Sequence, residues 1–244
     1  MTPGHLLLAY HGCDATTRDD LVSGRLRALD HSQNEYDWLG PGTYFFEGDP
    51  QRAMNFAAES AAHPDRLYTK RPIVTPAVVG AVICVSGCLD MTTQTGLDEF
   101  SEVLEQLKAV GAPLARNDDN NPLLRRLNNQ VFTALHAFRQ AQSMQAYQMV
   151  RGAFLQGEPL GDAYSGFSRD GHIQLAVRDA GIVVSWFLPQ EDRLMTADEY
   201  EAAQALRAAA PVGSDSAGHQ RPEPDRIPPR LPPRPRTRAG RFQR

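Results

Sequence analysis

The chain has 244 residues, 41% of them hydrophobic and 22% charged, which fits one sizeable globular domain carrying an appendage. No apolar run approaches the roughly 20 residues that span a bilayer, and the opening Met1–His5 lacks the basic region of a signal peptide. Three cysteines (Cys13, Cys84, Cys88) form no disulfide framework and close no four-ligand zinc site by themselves, so a cytoplasmic protein without membrane or metal is expected.

The net charge of −4 is unevenly spread. Residues 211–244 hold eight Arg, no Lys and three acids, a formal +5 that leaves −9 on residues 1–210. That segment also holds eight prolines and has little apolar surface to repay ordering, so it reads as a disordered Pro/Arg-rich tail with polyproline II character. An acidic body disfavours non-specific nucleic-acid binding, whereas the basic tail suits phosphate or an acidic partner.

In chain order, Leu6–Tyr10 reads as a short buried strand. Asp49-Pro50 opens a helix, with Asp49 as the N-cap and Ala53, Phe56 and Ala57 on one face. Ile73–Val85 is rich in β-branched residues and predicts a strand after Pro76. Thr95–Asp98 resembles a capping box before a helix carrying Leu97, Phe100, Val103, Leu104 and Leu107. Asn121-Pro122 starts the longest predicted helix, whose apolar stripe is Leu123, Leu127, Val131, Leu135 and Phe138. A second helical stretch is predicted around Ala146–Leu155, then a Gly/Ser/Asp-rich loop over Gly157–Gly171. Ile173–Val177 and Ile182–Leu188 read as strands joined by a turn at Arg178–Gly181. Thr196–Glu199 is a full capping box before a last helix through Tyr200 and Leu206. The sum is an α+β protein without regular βαβ alternation, Walker A loop or Rossmann glycine fingerprint.

Three segments carry chemistry. Tyr10-His11-Gly12-Cys13 puts a histidine at a predicted strand exit beside a glycine, which opens the backbone to a ligand; the plainer alternative is a turn histidine. The segment from Tyr36 through Trp38-Leu39-Gly40-Pro41-Gly42-Thr43-Tyr44-Phe45-Phe46 sets five aromatics around two glycines. It suits stacking on a flat ring, or an aromatic corner of the core. In His172-Ile173-Gln174-Leu175-Ala176, period-two geometry puts His172, Gln174 and Ala176 on one face after a mobile loop, either lining a cleft or forming a solvated edge.

Taken in order, His-Gly, then Gly-x-Gly-x-Tyr-Phe before a helix, then a polar residue on a late strand resembles the ADP-ribosyltransferase superfamily. The branch resembled has a His-Tyr-acid signature and includes diphtheria toxin and the poly(ADP-ribose) polymerases. Within it, NEYDWLGPGTYFFEGDPQRAMNFA and HIQLAVRD are similar to small bacterial toxin and phage-defence transferases. The resemblance spans roughly residues 6–60 and 157–190. It implies a split β-sheet core with a helical insertion in the middle of the chain, a catalytic domain over 1–210 and the tail over 211–244.

The resemblance also implies roles. NAD is the co-substrate. His11 would hydrogen-bond a ribose hydroxyl on the nicotinamide side, and the Gly12 backbone would pair with the carboxamide. Tyr44 would pack on the nicotinamide ring, with Tyr36 and Phe56 as further pocket residues. Gln174 sits where the family usually has its catalytic glutamate. It still hydrogen-bonds a 2′-hydroxyl, but it brings no negative charge and is no general base. This argues against chain elongation and for single transfer, with His172 handling the acceptor and Glu158 and Asp170 as fallback acids. Phe167 and Ser168 become substrate-side candidates, since the preceding loop reads the acceptor in related enzymes. The partners implied are a macromolecular acceptor, protein or nucleic acid, and an antitoxin or immunity protein. Two other readings are an NAD glycohydrolase, with water as acceptor, and a non-catalytic binding module that kept the fold.

Overall fold

The computed structural model describes residues 4–35, 37–64, 71–117, 124–162 and 165–210. The expected tail over 211–244, the helix start at Asn121-Pro122 and the side chain of Tyr36 lie outside them.

Among the described residues, seven strands form one sheet: β1 (His5–Asp14), β2 (Thr43–Glu47), β3 (Pro76–Val85), β4 (Cys88–Asp90), β5 (Met149–Phe154), β6 (His172–Val177) and β7 (Val183–Phe187). Their order is β4-β5-β6-β2-β1-β3-β7, antiparallel except for β4 beside β5. Among the described residues there are five α-helices: α1 (Ala15–Val22), α2 (Pro50–Ala62), α3 (Gln94–Ala109) and α4 (Arg126–Ala141), and α5 (Ala197–Ala209), which packs on α1.

The join between β1 and β2 positions the candidate site. β1 pairs with β3 along its whole length, from His5↔Val85 to Asp14↔Pro76. With β2 it shares only Ala9↔Glu47 and Tyr10↔Phe46. The sheet is therefore two well-paired halves, β4-β5-β6-β2 and β1-β3-β7, held by a two-residue seam beyond which the strands part.

Alternation along the strands sorts side chains onto two faces. One face carries Ala9, Phe45, Ala81, Ile83, Met149, Leu175 and Val177, while α1 adds Leu21 beside Cys13 and Val79. On the other, α2 packs Ala53 against Phe46 and Val78. There α4 also brings Val131, Phe132 and Leu135 to Val150, Ala176 and Leu39.

Where local chemistry is strong, the elements follow the sequence. Asp49 caps α2, its carboxylate accepting from Arg52 N–H at 2.8 Å, and Pro50 fills the first turn. Thr196 and Glu199 close their capping box on α5. Five expectations are corrected. β1 starts exposed, with Leu6 at 69% and Leu8 at 54%, and runs on through His11 to Asp14, because β3 supplies a partner for every residue. Residues 149–154 form a strand, not a helix, slotted between β4 and β6. α3 is capped two residues before the predicted position, by Thr93, whose hydroxyl accepts from Gly96 N–H at 3.2 Å. β6 and β7 make no hairpin, since β2, β1 and β3 lie between them in the sheet. On α3 and α4 the predicted stripes leave Leu97 and Phe138 exposed at 47% and 42%, at the ends of the buried faces.

Asp14 ties the end of β1 to α1. Its carboxylate is 1% exposed and accepts from Thr16 N–H (3.0 Å), Thr16 Oγ1 (2.7 Å), Val74 N–H (2.9 Å) and Thr75 N–H (3.0 Å). Burial alone would raise its pKa, but these donors outweigh it and hold the group below the usual carboxylate range. An asparagine would point an NH₂ or a neutral oxygen at donors arranged for a carboxylate, so Asp14→Asn is expected to cost about 3 kcal/mol in urea unfolding. Because the folded pKa is depressed, Asp14 contributes stability above its unfolded pKa and loses it as pH falls through the folded one. The gap between parent and variant should therefore narrow in acid; a gap constant with pH would remove the charge from the account.

Candidate functional site

The seam between β1 and β2 sets which backbone groups stay open. Gly48 N–H donates to Leu8 O at 3.0 Å, and Ala15 N–H donates to Thr75 O at 2.8 Å. In an antiparallel ladder the hydrogen-bonding side alternates with each residue. Leu8, Tyr10 and Gly12 therefore direct their N–H and C=O groups toward β2, and His11 and Cys13 direct theirs toward β3. The β1–β2 ladder ends at Tyr10↔Phe46, one hydrogen-bonding residue short of Gly12. Gly12 thus points a donor and an acceptor into the gap where the sheet divides.

His11 spans that gap. Its Nδ1 lies 2.7 Å from the main-chain carbonyl of Tyr44, the group that a continued ladder would offer to Gly12. A carbonyl only accepts, so Nδ1 carries the hydrogen and Nε2 keeps its lone pair. The ring packs beside Phe45 at 5.6 Å between centroids, and burial holds its pKa below the ordinary value. The imidazole is neutral at physiological pH, with Nε2 as an acceptor. His11 sits inside β1, not at a strand exit; the backbone opens because β2 diverges, not because the strand stops.

Tyr44 meets His11 through its main chain. By alternation its ring lies on the opposite sheet face, packed with Leu39 and the α4 cluster. Its hydroxyl donates to Gly40 O at 2.8 Å and accepts from Leu39 N–H at 3.1 Å, and burial pushes its pKa well above 10. Tyr44 fastens the loop before β2 onto the sheet. Asn129 of α4 grips the same loop, donating to Asn34 O and Asp37 O.

That loop lays Trp38 over β5 and β6. Gly152 makes room, since a Cβ there would stand 2.7 Å from the indole. The Trp38 Nε1–H donates to Gln174 Oε1 at 2.6 Å. Gln174 pairs with Phe46, which in turn pairs with Tyr10, so β2 alone lies between β6 and β1. As the alternation predicts, His172 and Gln174 share a face while Leu175 is buried on the other. That face is covered, because Trp38 lies on Gln174 and Phe46 and Phe154 flank His172.

His172 is 9% exposed, set between Phe46 and Phe154 at 5.0 and 5.5 Å. Its Nδ1 lies 2.6 Å from Asp170 O, so Nε2 again keeps the lone pair. Arg52 of α2 lies over the same Phe46 ring, 5.2 Å from its centroid, and donates through Nη2 to Gln156 at 2.7 Å. Arg125 covers Trp38 and Phe154 at 5.3 and 4.5 Å. Arg52, Arg125 and Phe154 escaped the sequence reading. Only the fold brings Gln156 to Arg52, across about a hundred residues of chain, and no local pattern marks that meeting.

The remaining candidates are spread out. Phe56 packs with Phe46 and Tyr10 under α2, not against Tyr44. Phe167 is 71% exposed on the loop, and Ser168 bridges Pro159. Glu158 is exposed, its main-chain carbonyl accepting from Arg169 N–H. Asp170 is half-buried near Arg52 and His172. Two surface hollows, on the outer side of α3 and between α1 and α5, share no residue with this site. Among the described residues, no group of His, Cys, Asp or Glu is placed to hold a metal ion, and no helix is long and apolar enough to cross a membrane. Comparison of the chain with protein-family models, with curated proteins and with solved structures gave no match.

Proposed function

We propose that the chain is an NAD-dependent mono-ADP-ribosyltransferase, and that nicotinamide is held where β1 and β2 part. The observation that carries this reading is the pair of Gly12 main-chain groups facing the gap beside His11. A primary carboxamide needs one acceptor and one donor side by side, and a single strand residue turned outward offers both. The lone pair on His11 Nε2 accepts from a ribose hydroxyl, and the Nδ1–H bond to Tyr44 O fixes the ring for that task.

Cleavage breaks the bond between ribose C1′ and the nicotinamide nitrogen. Positive charge develops on the ribose, and the leaving nitrogen takes the electron pair. Gln174 lies on the sheet face opposite His11, so on this reading it meets the ribose from the far side of the gap, and its amide does not counter that charge; orientation carries more of the acceleration. The split sheet, the His-Gly pair inside it and a polar residue two strands away support the family resemblance, while the acceptor stays open between protein and nucleic acid. A macromolecular target, with an antitoxin or immunity protein to restrain the enzyme, fits the same reading.

Nicotinamide release from NAD, followed by chromatography, tests it. His11→Ala is expected to cut the rate about 10²–10³-fold, the usual effect of removing one preorganised contact, in a protein that still folds. Labelled NAD incubated with a lysate and then digested separately with protease and nuclease identifies the acceptor class. A parent protein that releases no nicotinamide overturns the proposal.

A further inference from the structure

Two buried nitrogens on the α2 side of the sheet lack partners among the described residues: Nε of Arg52 and Nε2 of His172. Both side chains lie against the ring of Phe46, and the Arg52 charge acts on His172. Unpaired polar atoms at this depth are uncommon and costly, so a ligand or a water is expected to complete them.

Their chemistry is complementary. The Asp170 carbonyl holds the hydrogen on Nδ1 of His172, leaving Nε2 to accept, whereas Arg52 Nε–H only donates. A carboxylate would meet the Nε2 lone pair, and an ammonium would meet the guanidinium. An uncharged hydroxyl satisfies both through one oxygen, donating to Nε2 and accepting from Nε–H.

We propose that Arg52 and His172 form the acceptor subsite, that the acceptor atom is a hydroxyl oxygen, and that His172 Nε2 is the general base receiving its proton. The inference rests on the transferase reading above. The hydroxyl oxygen bonds to ribose C1′ as the C1′–nicotinamide bond breaks. The electron pair of that bond stays on the nicotinamide nitrogen, and the hydroxyl proton passes to Nε2 and then to solvent. His172 thereby supplies the base that Gln174, two residues along the same face, cannot be. The groups around His172 are the Arg52 guanidinium and the Asp49 carboxylate from α2 and the Asp170 carboxylate from the loop, with Phe46 and Phe154 on its flanks. Burial, the largest influence, moves its titration below the ordinary histidine value and keeps the ring neutral at pH 7.

The test uses the full chain, NAD, and methanol or glycerol as the hydroxyl probe, with products separated by mass spectrometry. The parent should yield the alcohol adduct of ADP-ribose. His172→Asn should lower adduct formation about 10²–10⁴-fold, the range for a lost general base, with NAD affinity measured by calorimetry nearly unchanged. Arg52→Met should raise the alcohol concentration needed for half-maximal rate about tenfold or more. In the parent, adduct formation should hold level near neutrality and fall as acid protonates Nε2. Imidazole ¹⁵N shifts of the parent, a measurement independent of any variant's folding, should report Nδ1 protonated and Nε2 bare. ADP-ribose without adduct, an Nε2-protonated ring, or full adduct formation by a folded His172→Asn overturns the assignment while NAD cleavage stands. A parent that does not bind NAD overturns the transferase reading, and this inference with it.

Discussion

Gly12→Ala is expected to lower both stability and NAD cleavage severely. A Cβ on Gly12 would stand 2.2 Å from the carbonyl oxygen of Ala53 and 3.2 Å from Ala57 N, both main-chain atoms of α2. Neither swings aside like a side chain, so α2 must lift from the strand or β1 must bend. Overpacking of this kind typically costs about 1–3 kcal/mol, and a clash with helix backbone belongs at the upper end. The same displacement reaches the gap, because Gly12 is the residue whose peptide groups face it and His11 is its neighbour. Chemical unfolding and nicotinamide release, measured on one preparation, separate the two effects. The expected result is a variant that still folds at low temperature and cleaves NAD at least about 10²-fold more slowly. Cleavage at the parent rate would show that the gap tolerates movement and that the Gly12 backbone grips nothing.

This double duty explains what the sequence displays at the site. A glycine after a histidine reads as an opening for a ligand, and the structure adds a reason that no local reading contains: a helix about forty residues further on lies against it. The same division runs through the fold. α2, β3 and α5 announce themselves because their signals are local: Asp49-Pro50, a β-branched run after Pro76, and a reciprocal Thr196–Glu199 box. β5 does not, because MVRGAF is a short apolar run that either a helix or a strand accepts. Its choice is made by β4 and β6, at distant points of the chain. β4 has three residues, too few for any period, and β7 looks like the second arm of a hairpin until the sheet order places it at the far edge.

In the site, type and face were legible while depth and partner were not. Alternation puts His172 and Gln174 together, and that is observed. It does not say whether β6 is an edge; pairing with β5 and β2 makes it a central strand, and Trp38, Phe46 and Phe154 cover the face that carries His172 and Gln174. Tyr44 illustrates the opposite case. Its motif position implies a ring against nicotinamide, yet its ring packs under α4 and its hydroxyl is spent on Leu39 and Gly40. What Tyr44 offers the gap is a carbonyl, which no side-chain pattern encodes.

Gln174 makes the sharpest demand on the proposed chemistry. Its Oε1 accepts from the Trp38 indole at 2.6 Å, so the amide is oriented and its NH₂ end is left to meet a ligand. Gln174→Ala removes that acceptor, costs about 1–3 kcal/mol through the stranded indole N–H, and should slow NAD cleavage about 10²–10³-fold. Gln174→Glu is the discriminating variant. A carboxylate accepts the indole N–H at least as well, and Arg125, lying over Trp38, moderates its charge. It also places negative charge near the developing cation, where the resembled family has its acid. The fold should persist, and nicotinamide release should equal or exceed that of the parent, with water competing more strongly as acceptor. If Gln174→Ala transfers ADP-ribose at the parent rate, the reacting ribose lies elsewhere. Asp170, half-buried beside Arg52 and His172, is then tested before Glu158, which is exposed on the loop. If Gln174→Glu loses cleavage while its melting temperature holds, the site is built around a neutral amide, and orientation rather than charge stabilisation carries the reaction.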